Sequence, residues 1–368
     1  MREVAELEGE QRCWSDLSHD LLGMLLYYLP PESRRAFKAT CKSWNTAQIS
    51  VPPPIDSTIS AYYYSCPILM FANCYNSRYK FYNPINHEFF HVSAIGLKGA
   101  IVRCSKFGWL LMSLPNLDVL FYNPITKQKI ELPRSNLAFT AMCFTSPPTS
   151  PDCQVFAIAK TRNEVNIIRH GEQSWQLHYF GILKRKFYFS THNPVFHNGS
   201  FYCLDESGDV GVFHPEVDDD DESKKFTIHY TSFKKTGWRQ LRKGKIRQSF
   251  LLENDGKLFG IFNRIDNGIN IMWLDTESWK WLAVHDLPNK SLFVSHSESF
   301  AIKGIGNRVY FPKFHDKVGV YYSLDRLKYY SVAGNFSSTS SYELDEVIEF
   351  GVWIRPNFDL VHESQLHW

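Results

Sequence analysis

Two copies of one aromatic turn, Phe81-Tyr82-Asn83-Pro84-Ile85 and Phe121-Tyr122-Asn123-Pro124-Ile125, stand about forty residues apart. Each follows an apolar run and leads to a second short apolar segment, Phe89-Phe90 and Lys129-Ile130-Glu131-Leu132. Proline after asparagine ends a strand and opens a turn, so each copy is a hairpin, and a hairpin recurring at this period is the signature of propeller blades. Weaker copies follow at Asn166-Ile167-Ile168-Arg169 with Trp175-Gln176-Leu177, at Gly211-Val212-Phe213-His214 with Phe226-Thr227-Ile228, at Ile271-Met272-Trp273-Leu274 with Trp279-Lys280-Trp281, and at Val320-Tyr321-Tyr322-Ser323 with Tyr329-Tyr330. Five of the six copies are preceded by a further strand, at 109–112, 154–158, 198–202, 255–259 and 306–310. Six units are therefore expected, in an all-β domain that is a six-bladed or seven-bladed β-propeller. Its 15% aromatic content suits pleated, half-buried surfaces.

A ring of sheets must close on itself. The late strand Val347 to Ile354 lies beyond the sixth unit and is expected to pair into the first sheet beside Ile59 to Tyr64, covering edges that otherwise promote aggregation.

Only the first fifty residues carry helical periodicity. Ser18 suits an N-cap and Asp20 the first turn, with Leu21, Leu22, Leu25 and Leu29 following at helical spacing. Pro30 and Pro31 stop this helix, and Pro31 opens a second that is expected to run to about Gln48. Phe37, Cys41, Trp44 and Ala47 form its apolar stripe, while Arg34, Arg35, Lys38 and Lys42 decorate the rest. Two short helices before a rigid Val51-Pro52-Pro53-Pro54 spacer leave an apolar face in need of a partner or of the following domain.

The wording of this segment resembles an F-box. Leu17, Asp20-Leu21-Leu22, Leu29, Phe37-Lys38 and Cys41-Lys42-Ser43-Trp44 match the family pattern over about thirty residues, with Ser18, Arg35 and Thr40 departing from it. The whole chain is similar to plant-type F-box proteins with a C-terminal kelch-like or propeller-like domain, although the paired glycines of standard kelch units do not occur here. The resemblance implies a substrate-recognition subunit of an SCF (Skp-cullin-F-box) E3 ubiquitin ligase. Its helices would dock a Skp-type adaptor through Leu17, Leu21, Leu22, Leu25, Leu29, Phe37, Cys41 and Trp44, and through it a cullin-RING ligase. The propeller loops would hold an unknown target protein. Organisation then reads as a flexible N-terminus 1–11, F-box 12–50, Pro-rich spacer 51–57, propeller 58–356 and C-terminal tail 357–368.

No enzyme signature accompanies this. There is no His-Glu-x-x-His, no Gly-x-Ser-x-Gly and no P-loop, and Gly304-Ile305-Gly306-Asn307 enters a hairpin rather than a helix. No catalytic residue, cofactor or metal ligand is expected, and the chain reads as a non-catalytic adaptor. A propeller enzyme, a small-molecule-binding module and a non-degradative F-box scaffold are the alternatives. The run Asp218 to Asp221 reads as a solvated loop, and so does the basic stretch Lys234 to Arg247. With 40 Lys and Arg against 38 Asp and Glu, no global field points to nucleic acid or to a membrane surface. The eight cysteines form no Cys-x-x-Cys pair and read as buried thiols, and the acidic N-terminal residues do not resemble a secretory signal. A nucleus or cytosol is the expected location. The uncharged stretch Ser57 to Ser77 is interrupted by Pro67, Asn73 and Asn76, and reads as core strand rather than membrane span.

Overall fold

Turn chemistry sets the hairpins of this chain. At Phe107 and Gly108, Asn198 and Gly199, and Asp255 and Gly256, both central residues take positive φ, the geometry of type I′ turns. Such turns match the right-handed twist of the strands they join. A second turn position repeats as well: His87, Lys127, Trp279 and Leu327 all have positive φ just before the second strand of a hairpin. In the second copy, Asn123 is fully buried and its Oδ1 accepts from the backbone N–H groups of Ile125 (2.9 Å) and Thr126 (3.1 Å). This Asx turn is the physical content of the second Asn-Pro copy.

The structure is a computed structural model and describes residues 17–29, 36–48, 66–73, 78–84, 87–94, 96–159, 164–179, 187, 189, 194–205, 207–217, 225–233, 246–264, 268–304, 306–314, 317–332, 334, 337–338, 349–355, 357 and 361–368. The chain divides into two compact units, Met1–Tyr62 and Tyr63–Trp368. The first holds helices α1 (His19–Tyr28) and α2 (Lys42–Thr46). The second is a six-bladed β-propeller.

Blade one contains β1 (Ile68–Asn73), β2 (Arg78–Asn83) and β3 (Glu88–Ser93). Blade two is β4 (Ile101–Lys106), β5 (Trp109–Ser113), β6 (Val119–Tyr122) and β7 (Lys129–Glu131); blade three is β8 (Phe139–Phe144), β9 (Gln154–Ala159), β10 (Glu164–Arg169) and β11 (Gln176–Tyr179). Blade four is β12 (Val195–His197), β13 (Ser200–Leu204), β14 (Val210–Phe213) and β15 (Phe226–His229). Blade five joins β16 (Ser232–Phe233), β17 (Ile246–Asn254), β18 (Lys257–Arg264), β19 (Ile269–Asp275) and β20 (Lys280–Val284). Blade six holds β21 (Lys290–Val294), β22 (Ser299–Lys303), β23 (Arg308–Phe314), β24 (Lys317–Ser323), β25 (Lys328–Ser331) and β26 (Ser337–Ser338), and departs from the meander because β21 pairs with β23 in parallel. Finally, β27 (Glu349–Ile354) joins the first blade, giving the order β27-β1-β2-β3.

The six hairpins read from the sequence are β2 with β3, β6 with β7, β10 with β11, β14 with β15, β19 with β20 and β24 with β25, outermost in blades one to four and flanked by the two-residue strands β16 and β26 in blades five and six. Around the axis, β27 touches β4, β4 touches β8, β8 touches β12, β12 touches β17, and β17 touches β22. These are the innermost strands, and β27 also touches β23, which closes the ring.

The late strand joins the first sheet, as expected from its place beyond the sixth unit. The antiparallel partner of β27 is β1, with Ile68 opposite Ile354 and Asn73 opposite Glu349. The segment Ile59 to Tyr64 lies outside the described residues. The reason for the pairing is apolar matching: Leu69, Met70, Phe71, Val352, Trp353 and Ile354 are all buried, on both faces of the sheet.

Between blades the contacts are mainly aromatic and aliphatic, as in Phe156 stacked on Phe201 at 4.6 Å, or Phe293 edge-on to Trp353 at 5.1 Å. One polar bolt joins blades four and five. Asp205 accepts from the N–H groups of Ser207 and Asp209, each at 2.8 Å, and Asp209 accepts from the Thr231 N–H at 2.7 Å. The Trp281 indole N–H then donates to the Gly208 carbonyl (2.9 Å) and to Thr231 Oγ1 (3.1 Å). A fully buried indole is thus satisfied by the neighbouring blade.

The stretch beyond β27 packs on the propeller. Gln128 donates its amide to the Val361 carbonyl at 2.5 Å and accepts from the Val361 N–H at 3.1 Å, so one side chain imitates a strand pair. Trp368 is buried against Phe121 (5.6 Å) and His170 (5.4 Å). Gly108 makes room for this segment: a Cβ built there would lie 2.2 Å from the Asn357 Cβ.

Candidate functional site

Two places can bind something else: the apolar surface of the helical unit, and the channel mouth of the propeller. In the helical unit, Ser18 caps α1 by accepting from the Leu21 N–H at 3.4 Å, and the Leu29 N–H closes the other end on the Leu25 carbonyl at 3.0 Å. The second helix of the sequence reading is interrupted. Ala36 to Lys38 are helical, but Cys41 is extended (φ −159°, ψ 172°) and serves as N-cap of the short α2. Thr40 explains the break in part, because its Oγ1 donates to the Ala36 carbonyl at 3.2 Å.

The candidate adaptor residues separate into three groups. Leu22 and Phe37, together with Leu26 and Ala47, form the buried core of the helical unit. Leu17, Leu29 and Trp44 are half-buried against that core, and the Trp44 ring stacks on Phe37 at 4.4 Å. Cys41 is half-buried at the α2 N-cap. Leu21 and Leu25, one turn apart on α1, remain 45% and 41% exposed. Neighbours at this spacing share one helix face, so the two leucines present a continuous apolar surface that their own unit does not cover.

The channel mouth is a cavity of about 450 Å³ to which every blade contributes from its innermost strands or the turns beside them. Lys106 and Phe107 come from the end of β4, Thr145 follows β8, Phe196 lies on β12, Glu253 on β17, and Arg355 follows β27. Blade six supplies the turn Ser295 to Glu298 between β21 and β22. That turn is fixed by its own serine: Ser295 Oγ donates to the Glu298 carbonyl at 2.7 Å and accepts from the Glu298 N–H at 3.4 Å.

Burial pushes the Glu298 carboxyl up to about 8, against the pull of Lys106 and Arg355. Burial also lowers the neighbouring His296 below the usual imidazole range. Among the described residues no salt bridge joins Glu298 to either cation. Lys106 instead donates to the Phe144 carbonyl at 3.4 Å, and the Arg355 guanidinium lies 4.1 Å from the centre of the Phe300 ring. Sequence reasoning did not find these groups. They lie at positions 106, 298 and 355, carry no motif, and are brought together only by closing the ring.

The buried cysteines differ from reactive ones in their surroundings. Cys66, Cys104, Cys143, Cys153 and Cys203 are buried, and burial raises their thiols, Cys66 to about 12 and Cys153 to about 11. Such thiols are poor nucleophiles. Among the described residues no three His, Cys, Asp or Glu side chains are grouped to hold a metal ion, and no helix is long and apolar enough to cross a membrane. Gly304 and Gly306 flank the turn into β23, where a Cβ at Gly306 would lie 2.9 Å from the Asn289 backbone nitrogen. The runs Asp218 to Asp221 and Lys234 to Lys245 lie outside the described residues.

Comparison with known proteins places both units. Residues 14–55 match the F-box domain, and residues 46–322 match the KIB1-4 beta-propeller. The chain is similar to three proteins of Arabidopsis thaliana. To the F-box protein At4g00893 it is 28% identical over 335 residues, covering 86% of this chain and 81% of that one. To the F-box protein At3g56470 the identity is 25% over 359 residues, with 94% and 89% covered. To the F-box/kelch-repeat protein At1g57790 it is 28% over 379 residues, with 95% and 96% covered.

Proposed function

We propose, on the premise that this chain belongs to the F-box proteins that carry a KIB1-4 β-propeller, that it is the substrate-recognition subunit of an SCF-type ubiquitin ligase. Residues 12–50 dock a Skp-type adaptor, residues 51–57 act as spacer, and the propeller loops hold a target protein. One observation carries this reading. Leu21 and Leu25 stay exposed on a helix whose other leucines, Leu22 and Leu26, are consumed by the unit's own core. An apolar helix face of this kind is recognised by a groove, with the leucines as desolvated anchors.

The chain's contribution to chemistry is then proximity. Holding a target beside a reactive ubiquitin donor turns an encounter between two proteins into a step within one complex. The reacting groups belong to other subunits, and the chain itself acts as a non-catalytic adaptor in the nucleus or cytosol.

The test is co-purification of the full chain with a Skp-type adaptor, beside the double variant Leu21→Asp, Leu25→Asp. Both positions are exposed, so the variant should keep its melting temperature while losing the adaptor, because a carboxylate buried in an apolar groove has no partner. Equal recovery of adaptor with both proteins refutes the leucine face. Absence of binding by the parent chain refutes the ligase reading itself.

A further inference from the structure

We propose that the channel mouth binds the carboxylate of a small organic acid, with the anion seated between Lys106 and Arg355 and its apolar body against Phe107, Phe196 and Phe300. This goes beyond adaptor docking and does not depend on it.

The two cations are held in position but not neutralised. The Lys106 ammonium is anchored by the Phe144 carbonyl at 3.4 Å and lies 5.5 Å from the centre of the Phe107 ring. The Arg355 guanidinium is anchored by the Phe300 ring at 4.1 Å. They come from the ends of two inner strands in adjacent blades, β4 and β27, which touch. Cations fixed by neutral groups at the rim of a cavity are prepared for an anion, because forming the complex requires no existing ion pair to break.

The acidic groups facing the same cavity do not compete for them. Glu253, on β17, is exposed and its Oε1 accepts from the Gly256 N–H at 2.8 Å, so it caps its own turn. Glu298 carries its proton at neutral pH, since burial raises it to about 8, and a neutral carboxyl donates a hydrogen bond to an anion rather than repelling it. Its remaining titratable neighbours are His296, which burial keeps neutral, and the thiols of Cys104 and Cys143, which burial keeps protonated. The cavity therefore presents two positive charges and one carboxyl donor, with the Glu253 carboxylate turned to its own hairpin at Gly256.

The walls select the rest of the ligand. Phe107, Phe196, Phe300, Val195 and Leu251 supply apolar surface, and a volume of about 450 Å³ lies within the range of small-molecule pockets. A flat apolar body bearing one carboxylate fits these properties. It can come from a free acid or from the C-terminal residue of a protein partner.

The test is calorimetric titration of the full chain with three probes: benzoate, N-acetyl-glycyl-phenylalanine with a free carboxylate, and benzamide. Benzoate or the peptide acid should bind near pH 7, and benzamide at least about tenfold more weakly. Tighter binding of benzoate identifies a free acid as the source, and tighter binding of the peptide a protein terminus. Lys106→Met and Arg355→Met should each weaken the better probe by about tenfold or more without lowering the melting temperature. In the parent chain, binding should fade above about pH 8 as Glu298 ionises, whereas Glu298→Gln should bind as well near pH 9 as near pH 7. No heat from either acid at about 10 mM, benzamide binding as tightly as benzoate, or parent-like binding by both cation variants overturns the proposal.

Discussion

Replacing Trp353 by alanine tests whether the closing strand stabilises the whole propeller. Trp353 lies on β27 with none of its surface exposed, edge-on to Phe293 at 5.1 Å and to Tyr310 at 6.4 Å, within the core shared by blades one and six. Truncating a buried tryptophan to alanine costs about 3–5 kcal/mol. That is a large part of the roughly 5–15 kcal/mol that holds a domain together. At about 2–4 °C per kcal/mol for a large domain, the melting temperature should fall by roughly 6–20 °C. A second variant separates packing from polarity. The Trp353 indole N–H is buried with no acceptor among the described residues. Trp353→Phe keeps most of the ring and deletes that donor, whose isolation costs about 1–3 kcal/mol. The lost ring volume and the removed penalty oppose each other, so this variant should stay within about 1.5 kcal/mol of the parent. Urea unfolding followed by circular dichroism measures both. A loss below about 1 kcal/mol for Trp353→Ala, or equal losses for the two variants, refutes the reasoning.

Three further outcomes are expected. In the helical unit, Leu22→Ala should cost about 2–5 kcal/mol and Leu21→Ala within about 0.5 kcal/mol, as read by hydrogen exchange of α1. At the channel mouth, Glu298 is raised in the folded chain to about 8 from an ordinary 4.5, so the native state holds the extra proton and its stability falls as pH rises through that interval. Glu298→Gln should therefore raise the melting temperature by an amount that is small at the acid end, grows up to about pH 8 and is constant above it; a pH-independent difference contradicts the assignment. Gly108→Ala places a Cβ against Asn357 at a φ of +81°, and should speed exchange at 361–368 before other regions.

How far the sequence foretold this structure follows from where turn signals stand. The outer hairpins were legible because Asn-Pro turns mark the first two and aromatic residues recur in them. The inner strands were not. β4, β8 and β17 each carry a register irregularity, at Val102 and Cys104, Phe139 and Ala141, and Ile246 and Gln248. An inserted residue breaks the two-residue alternation on which strand recognition rests. The parallel pairing of β21 with β23 was equally invisible, since no local pattern encodes it. For the helical unit, periodicity found the leucines but not their division. Leu21 and Leu22 are adjacent, and only the position of Phe37 and Ala47 decides that Leu22 faces inward and Leu21 outward. The channel-mouth charges depend wholly on ring closure, and their residues look like ordinary surface positions in the sequence.

The pairing of β27 with β1 also acts as a check on completeness. The first blade is synthesised early, yet its inner edge, Leu69-Met70-Phe71, meets its partner only after the other five blades have been made. At about 5–20 residues per second that edge stays bare for roughly 15–55 s on the ribosome. A chain stopped anywhere before Glu349 keeps it bare permanently, and an unpaired apolar edge is what chaperones hold and aggregates recruit. Because the first sheet is finished by β27, a prematurely ended product is marked as defective by its own topology.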